Sequence, residues 1–321
     1  MLDHGHFPNA KKYWYEGKLY DWNVTLLHPM TFALHYGGSV FEGIRAYPTP
    51  KGVAIFRLPE HIDRLLHSAS VAKMKVRYTK NQITEAIKLT VKENGLRSAY
   101  IRPLLFYSYG NLGLVPKFCP VELAIGTWEW GAYFGDKIEK GATVSILPWR
   151  RIHRSQLDMS AKLGGVYIQS TICAMEARSP VIDEGIFLNL EGRIAEGPGE
   201  NIFVVRGGTV KTNDGTESVL EGITRMSILE IAQDLGYKTS IGPIPKADFF
   251  SAEEAFFSGT AVEITPIVRV IDGSDGQARQ KEYTIGSGQA GPISLRLGKM
   301  YKDIVHGKVS KYEKWLTYVV G

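Results

Sequence analysis

The 321-residue chain is 44% hydrophobic, 22% charged and 11% aromatic, the balance of a soluble globular protein with one large or two ordinary cores, which excludes disordered, collagenous and low-complexity classes. Its 38 Lys+Arg against 33 Asp+Glu leave a formal charge of +5, too mild for this length to demand a nucleic-acid partner. Cys119 and Cys173 are too few for a disulfide framework and fit a reducing compartment as free, structural thiols. No run reaches the roughly 18 apolar residues of a membrane span, and Met1 to Lys12 lacks the apolar stretch of a signal peptide, so a cytoplasmic protein is expected.

KYWYEGKLYDW alternates as a hairpin around Gly17, and VAIFRL reads as a buried strand after the Lys51-Gly52 turn. PEHIDRLLHSASVAKM carries Ile62, Leu65, Leu66 and Ala69 at helical spacing behind Pro59, and NQITEAIKLTVKENG is helical until Gly95. AYIRPLLFY and VELAIGTWEW are strand candidates, and the passage from aromatics and glycines into charge over 131–140 marks a domain boundary. TVSILPW follows as a strand, then LGGVYIQSTICAMEARS as a helix with Val166, Ile168, Ile172 and Met175 among its apolar positions. IFLNLEG, RIAEG and NIFVVRGGTV read as short strands, and TRMSILEIAQDLG as an amphipathic helix capped by Thr224 and ended by Gly236. AEEAFFSGTAVEITPIVRVIDG gives two apolar runs broken at Ser258-Gly259-Thr260, and SLRLGKMYKDIVHGKVSKYEKWLTYV reads as a C-terminal helix with a solvated lysine face. The expected class is α/β in the α+β style, with a small N-terminal domain over 1–133 and a larger one over 134–321.

The chain has no P-loop, no HExxH zinc helix, no GxSxG elbow and no paired CxxC. None of its eight histidines, His4, His6, His61 and His67 included, has metal-ligand spacing with a carboxylate, and no catalytic metal is expected. Four features can carry chemistry. EGITR (221–225) places N–H groups and the Thr224 hydroxyl at a helix N-terminus, the geometry that holds a phosphate or simply a Thr cap with nothing bound. FSGTAVEITP (257–266) offers a second small-residue loop to an anion. Lys162, among Met159, Leu163, Gly164 and Gly165, is a desolvated nucleophile or a snorkelling surface lysine. Glu196 is an acid at a strand end or a solvated turn carboxylate.

LHYGGSVFEGIRAY, EHIDRL, AYIRP, MSAKLGGVYIQS, EGPGENIF, EGITR and SGTAVEITP occur in the order and approximate spacing of the fold-type IV pyridoxal-phosphate enzymes. Over nearly its whole length the chain most closely resembles the branched-chain amino-acid aminotransferases. The resemblance implies a two-domain fold-type IV enzyme with its active site between the domains, the catalytic lysine in the larger one, and a homo-oligomer at least dimeric. It implies transamination of leucine, isoleucine and valine with 2-oxoglutarate, with pyridoxal 5'-phosphate as cofactor, small amino and keto acids as partners, and neither nucleic acid nor membrane.

Residue by residue, the resemblance makes Lys162 the Schiff-base lysine and proton shuttle, Glu196 the partner of the pyridine nitrogen and Tyr167 the contact to O3′. Arg64, Ile223, Thr224 and Thr260 correspond to phosphate ligands, although Arg64 also stands four residues after Glu60, where an ordinary helical ion pair would form. Phe41, Gly43, Tyr100, Trp130 and Tyr133 correspond to the substrate pocket, Tyr36 to a residue reaching in from a partner subunit, and Ala261 with Thr260 to backbone near the α-carboxylate. Arg45 and Arg102 match positions that accept the second carboxylate of glutamate. The stretch 272–289 is longer and more charged than the corresponding family turn. The alternatives are a D-amino-acid or (R)-amine aminotransferase, an aminodeoxychorismate lyase and, outside the fold, a basic binding protein.

Overall fold

The computed structural model describes residues 7–131, 135, 137–276 and 280–320; Tyr133, His4 and His6 lie outside them. The chain divides into two compact units: Met1–Gly131 with Ala161–Val166 and Asp303–Gly321, and Ala132–Ser160 with Tyr167–Lys302. The sequence alone suggests a single cut near residue 133. The later segments return to the first unit because Val40 bridges Leu163 and because a C-terminal strand joins the first sheet.

In the first unit, β1 (Lys12–Tyr15) and β2 (Lys18–Asp21) form the expected hairpin. They are followed by α1 (Phe32–Tyr36), β3 (Ser39–Phe41), β4 (Ile44–Thr49), β5 (Gly52–Phe56), α2 (Leu58–Val71), α3 (Lys80–Asn94), β6 (Ala99–Tyr107) and β7 (Val121–Trp128). α3 starts on a capping box, Thr79 Oγ1 accepting the Gln82 N–H at 3.3 Å and Gln82 Oε1 the Thr79 N–H at 2.9 Å. Ile62 and Leu65 of α2 and Ile83, Ile87 and Val91 of α3 recur at helical spacing, and so bury one face of each helix in a core with Ile44, Ile101, Leu105 and Leu123.

The second unit contains α4 (Lys137–Lys140), β8 (Ala142–Arg150), α5 (Tyr167–Ala177), β9 (Glu184–Leu188), β10 (Asn201–Arg206), β11 (Thr209–Thr212), α6 (Ile223–Asp234), β12 (Lys238–Ile241), α7 (Lys246–Phe250), β13 (Glu254–Gly259), β14 (Glu263–Asp272) and β15 (Lys281–Thr284). α8 (Pro292–Val305) leads back to β16 (Leu316–Tyr318). The first sheet runs β16-β5-β4-β6-β7-β1-β2 with β3 on β6; the second runs β12-β11-β10-β13-β14-β8-β9 with β15 on β14. The first is antiparallel throughout, whereas β8 pairs in parallel with both β14 and β9. A parallel β8/β9 pair requires a crossover, which α5 supplies.

Four readings of the sequence change. α5 is a helix, but Ile168, Ile172 and Met175 lie on its exposed side (64%, 41% and 76% exposed), while Ser170, Cys173 and Ala177 face inward. RIAEG is not a strand: Ile194 makes only isolated bridges to Leu188 and Ile244. NIFVVRGGTV folds back at Gly207-Gly208 into β10 and β11. The C-terminal helix ends at Val305, because the next residues form a 3-10 turn over Ser310–Trp315 and then pair with β5, burying Tyr312 and Trp315.

Candidate active site

Lys162 sits in the short segment that rejoins the first unit, held there by its backbone. Its N–H donates to Ser68 Oγ at 2.8 Å and its carbonyl accepts the Phe41 N–H at 3.3 Å. Glycine makes this docking possible: a Cβ on Gly37 would stand 2.8 Å from Gly165 Cα, so two backbones pass where side chains cannot fit. The Lys162 Nζ lies 5.1 Å from the centre of the Phe41 ring, a cation–π contact.

The residue after Phe41 is Glu42, fully buried. Arg64 donates Nε–H to Glu42 Oε1 at 2.6 Å and Nη2–H to Oε2 at 2.8 Å, and His61 Nδ1 lies 2.8 Å from Oε2. Burial alone would raise the Glu42 carboxyl, but the Arg64 guanidinium outweighs it and holds the group well below the usual carboxylate range. His61 is pushed down by burial. The carboxylate that Arg64 grips is thus Glu42, while Glu60, one helical turn before it, bonds Arg57 at 2.7 Å.

Around Phe41 the first unit gathers most of the expected substrate residues. Arg102 stacks over Phe41 at 4.7 Å and over Tyr100 at 5.2 Å, and donates Nη2–H to the Tyr100 hydroxyl at 2.9 Å. Tyr100 lies 4.9 Å from Trp130 and 5.0 Å from Trp128, a ring that sequence reading missed. A Cβ at Gly43 would overlap the Tyr100 hydroxyl, so glycine there lets the tyrosine lie across the strand. Arg45 is buried over the Tyr47 ring at 4.6 Å. Tyr36 is exposed and bonds the Leu112 carbonyl at 2.7 Å.

In the second unit Glu196 is not a solvated turn acid. Its carboxylate is buried, accepting Arg151 Nε–H at 2.7 Å and the Leu220 N–H at 3.1 Å. Arg151 in turn donates to Gln169 Oε1 at 3.1 Å, two residues from the half-buried Tyr167 on α5. Five residues after Glu196, Asn201 accepts the Gly222 N–H at 3.1 Å and donates to the Leu220 carbonyl at 2.7 Å. EGPGENIF therefore braces EGITR from two sides. Thr224 does not cap α6: Gly222 is the N-cap, without a side-chain hydrogen bond, and Ile223 and Thr224 form the first turn. That leaves the helix terminus able to receive an anion. The Ser258 hydroxyl, two residues before Thr260, is buried without a hydrogen-bond partner among the described residues. Thr260 and Ala261, half-buried, lie in the β13–β14 turn.

Sequence reading gave no site role to Glu42, His61, Ser68, Arg151 or Asn201; all but Arg151 lie within the runs named above, but their partners are remote in the chain. Among the described residues no group of three or more His, Cys, Asp or Glu is placed to hold a metal ion, and no helix is long and apolar enough to cross a membrane. Both cysteines are free and buried; burial, with Glu184 nearby, pushes the Cys173 thiol up to about 12.

A lysine docked by its backbone on Phe41 and Ser68, and a buried acid held beside a helix N-terminus, agree with what comparison finds. Residues 39–270 match the amino-transferase class IV family, and the chain belongs to it. It is 42% identical over 307 residues to the branched-chain-amino-acid aminotransferase of Pseudomonas aeruginosa, covering 95% of this chain and 96% of that one. It is similar at a TM-score of 0.90 and 41% identity to a T.th. branched-chain amino acid aminotransferase solved with pyridoxamine 5'-phosphate, over 97% of this chain and 99% of that one. The same enzyme complexed with N-(5'-phosphopyridoxyl)-L-glutamate matches at 0.89 and 40%, with the same coverage. The fold is thus the mixed α/β fold of these aminotransferases.

Proposed function

We propose that the protein transfers the amino group of leucine, isoleucine or valine to 2-oxoglutarate, using pyridoxal 5'-phosphate. The observation that carries this is the backbone docking of Lys162 beside Phe41 and Ser68 in a class IV aminotransferase chain. The names of the relatives, and the pyridoxamine phosphate and phosphopyridoxyl-glutamate in the similar structures, support the choice of substrates and cofactor.

The donors present suit the cofactor's chemistry. An aldehyde requires an amine, supplied by Lys162; a phosphate requires a guanidinium and N–H groups, supplied by Arg64, Ile223, Thr224 and the Thr260 turn; a pyridine nitrogen requires a buried anion, supplied by Glu196; Tyr167 would hold O3′. When bound, the cofactor supplies the electron sink that stabilises negative charge at the substrate Cα. Arg151, with its Nε–H on Glu196, fixes the orientation of the carboxylate that would face the ring nitrogen. With its amine free, Lys162 would take the proton from the substrate Cα and return it at C4′. Phe41, Tyr100 and Trp130, with Gly43 making room, suit an aliphatic side chain, and Tyr133 would join them. Arg45 and Arg102 would take the second carboxylate of glutamate, which lets one apolar pocket admit both substrates.

A second copy of the chain is part of the proposal. The first unit exposes Leu34, Tyr36, Tyr109, Leu114, Val115 and Phe118, and the second exposes one apolar side of α5. Tyr36 would then serve the partner's site. The two free cysteines support a cytoplasmic setting. The test is glutamate formation from 2-oxoglutarate with a panel of donors. Leucine, isoleucine and valine should exceed D-alanine and (R)-1-phenylethylamine by at least about a hundredfold in kcat/KM, a gap of about 2.7 kcal/mol. A preference for the D-amino acid or the amine would overturn the substrate assignment.

A further inference from the structure

Resting on the reading of Arg64 as a phosphate ligand, we propose that Glu42 is a positioning residue for the cofactor: by fixing the Arg64 guanidinium it sets the preference for a phosphorylated over an unphosphorylated pyridoxal. Three donors meet on one buried carboxylate, Arg64 Nε, Arg64 Nη2 and His61 Nδ1, at 2.6, 2.8 and 2.8 Å. Two parallel N–H···O bonds fix the plane of a guanidinium as well as its place, which a single contact cannot do. The carboxylate is itself fixed, since the Glu42 N–H donates to the Pro103 carbonyl at 3.0 Å and the preceding residue, Phe41, bonds the Lys162 carbonyl. Adjacent residues at the end of β3 thus hold the lysine segment and the arginine in one register.

The charge of Glu42 works against an anion, so simple electrostatics predicts that removing it tightens phosphate binding. Positioning predicts the reverse. An arginine whose side chain is 13% exposed loses, without its carboxylate, the bonds that hold its plane, and it relaxes toward whatever acceptors it can reach. His61, kept neutral by burial, donates Nδ1–H to the carboxylate without adding a second cation beside Arg64.

The experiment measures dissociation constants for pyridoxal 5'-phosphate and for pyridoxal by visible absorption, in wild type, Glu42→Gln, Arg64→Gln and the double variant. The ratio of the two constants isolates the phosphate from general damage to the site. Glu42→Gln should reduce the preference for the phosphorylated form by about tenfold or more, and the double variant should lose no more than Arg64→Gln alone, because one residue acts through the other. Glu42→Asp, charged but one methylene too short to reach both Arg64 and His61, should lose several-fold and stands as the test if the neutral variant does not fold. If Arg64→Gln lowers the preference while both Glu42 variants keep it or raise it, the positioning role is wrong. If Arg64→Gln leaves the preference intact, the phosphate reading of Arg64 fails and this inference fails with it.

Discussion

Glu196 and Arg151 form an ion pair with side chains 6% and 3% exposed, and such a pair is fragile to the loss of one partner. Arg151→Met should destabilise the protein by about 3–5 kcal/mol in urea unfolding, because the buried Glu196 loses its guanidinium partner. A second buried acid gives a signature with pH. Burial, with Glu184 facing it, raises Glu200 from 4.5 to about 8. An acid raised in the folded state binds its proton more tightly there than when unfolded, so its contribution is full below 4.5 and is lost as pH rises toward 8. Glu200→Gln, which can still accept the Gly199 N–H, should therefore flatten the fall in melting temperature between pH 5 and pH 8; an unchanged slope would contradict this. Motifs mark Lys162, Arg64 and Glu196 as candidates, but not the groups that bond the last two: Glu42 is 22 residues from Arg64 and Arg151 is 45 from Glu196, separations across which no local pattern survives.

At the scale of elements, periodicity found the helices well and assigned their environment less well. α2 and α3 bury the faces their spacing indicates, and the capping box makes the start of α3 a local matter; Thr79→Ala should cost about 1 kcal/mol in equilibrium unfolding. In α5 the same rule failed, since a 3.6-residue period reports that an apolar face exists and not what covers it. Ile168, Ile172 and Met175 face away from their own unit, while the small residues Ser170, Cys173 and Ala177 let α5 lie close to β9. Ile168→Asp with Met175→Asp should leave the circular dichroism spectrum unchanged but shift the assembly to smaller species in light scattering if a second copy covers this face. RIAEG failed as a strand for a related reason. Its backbone is committed to holding Glu196, with the Ile194 and Ala195 carbonyls accepting from the Asn213 side chain at 2.9 and 2.7 Å.

On the scale of the whole molecule, the class was legible because alternating and helical patterns are mixed throughout, but the path of the chain was not. A single cut assumes that sequence neighbours stay together, and here 161–166 and the C-terminal strand return to the first unit through pairings that nothing local announces. Trp315 is the anchor of that return, 3% exposed against Phe56 and under Arg57. Trp315→Ala should cost about 3–5 kcal/mol in equilibrium unfolding, far more than a surface change. If Lys162 makes this fold a transaminase, that role will show in the visible spectrum of protein loaded with pyridoxal 5'-phosphate, then given L-leucine and afterwards 2-oxoglutarate, in wild type and Lys162→Ala. The wild type should show a band that leucine converts to the pyridoxamine form and 2-oxoglutarate restores, with no catalytic cycle in the variant. A wild type without that band, or a Lys162→Ala protein that cycles at the wild-type rate, would contradict it.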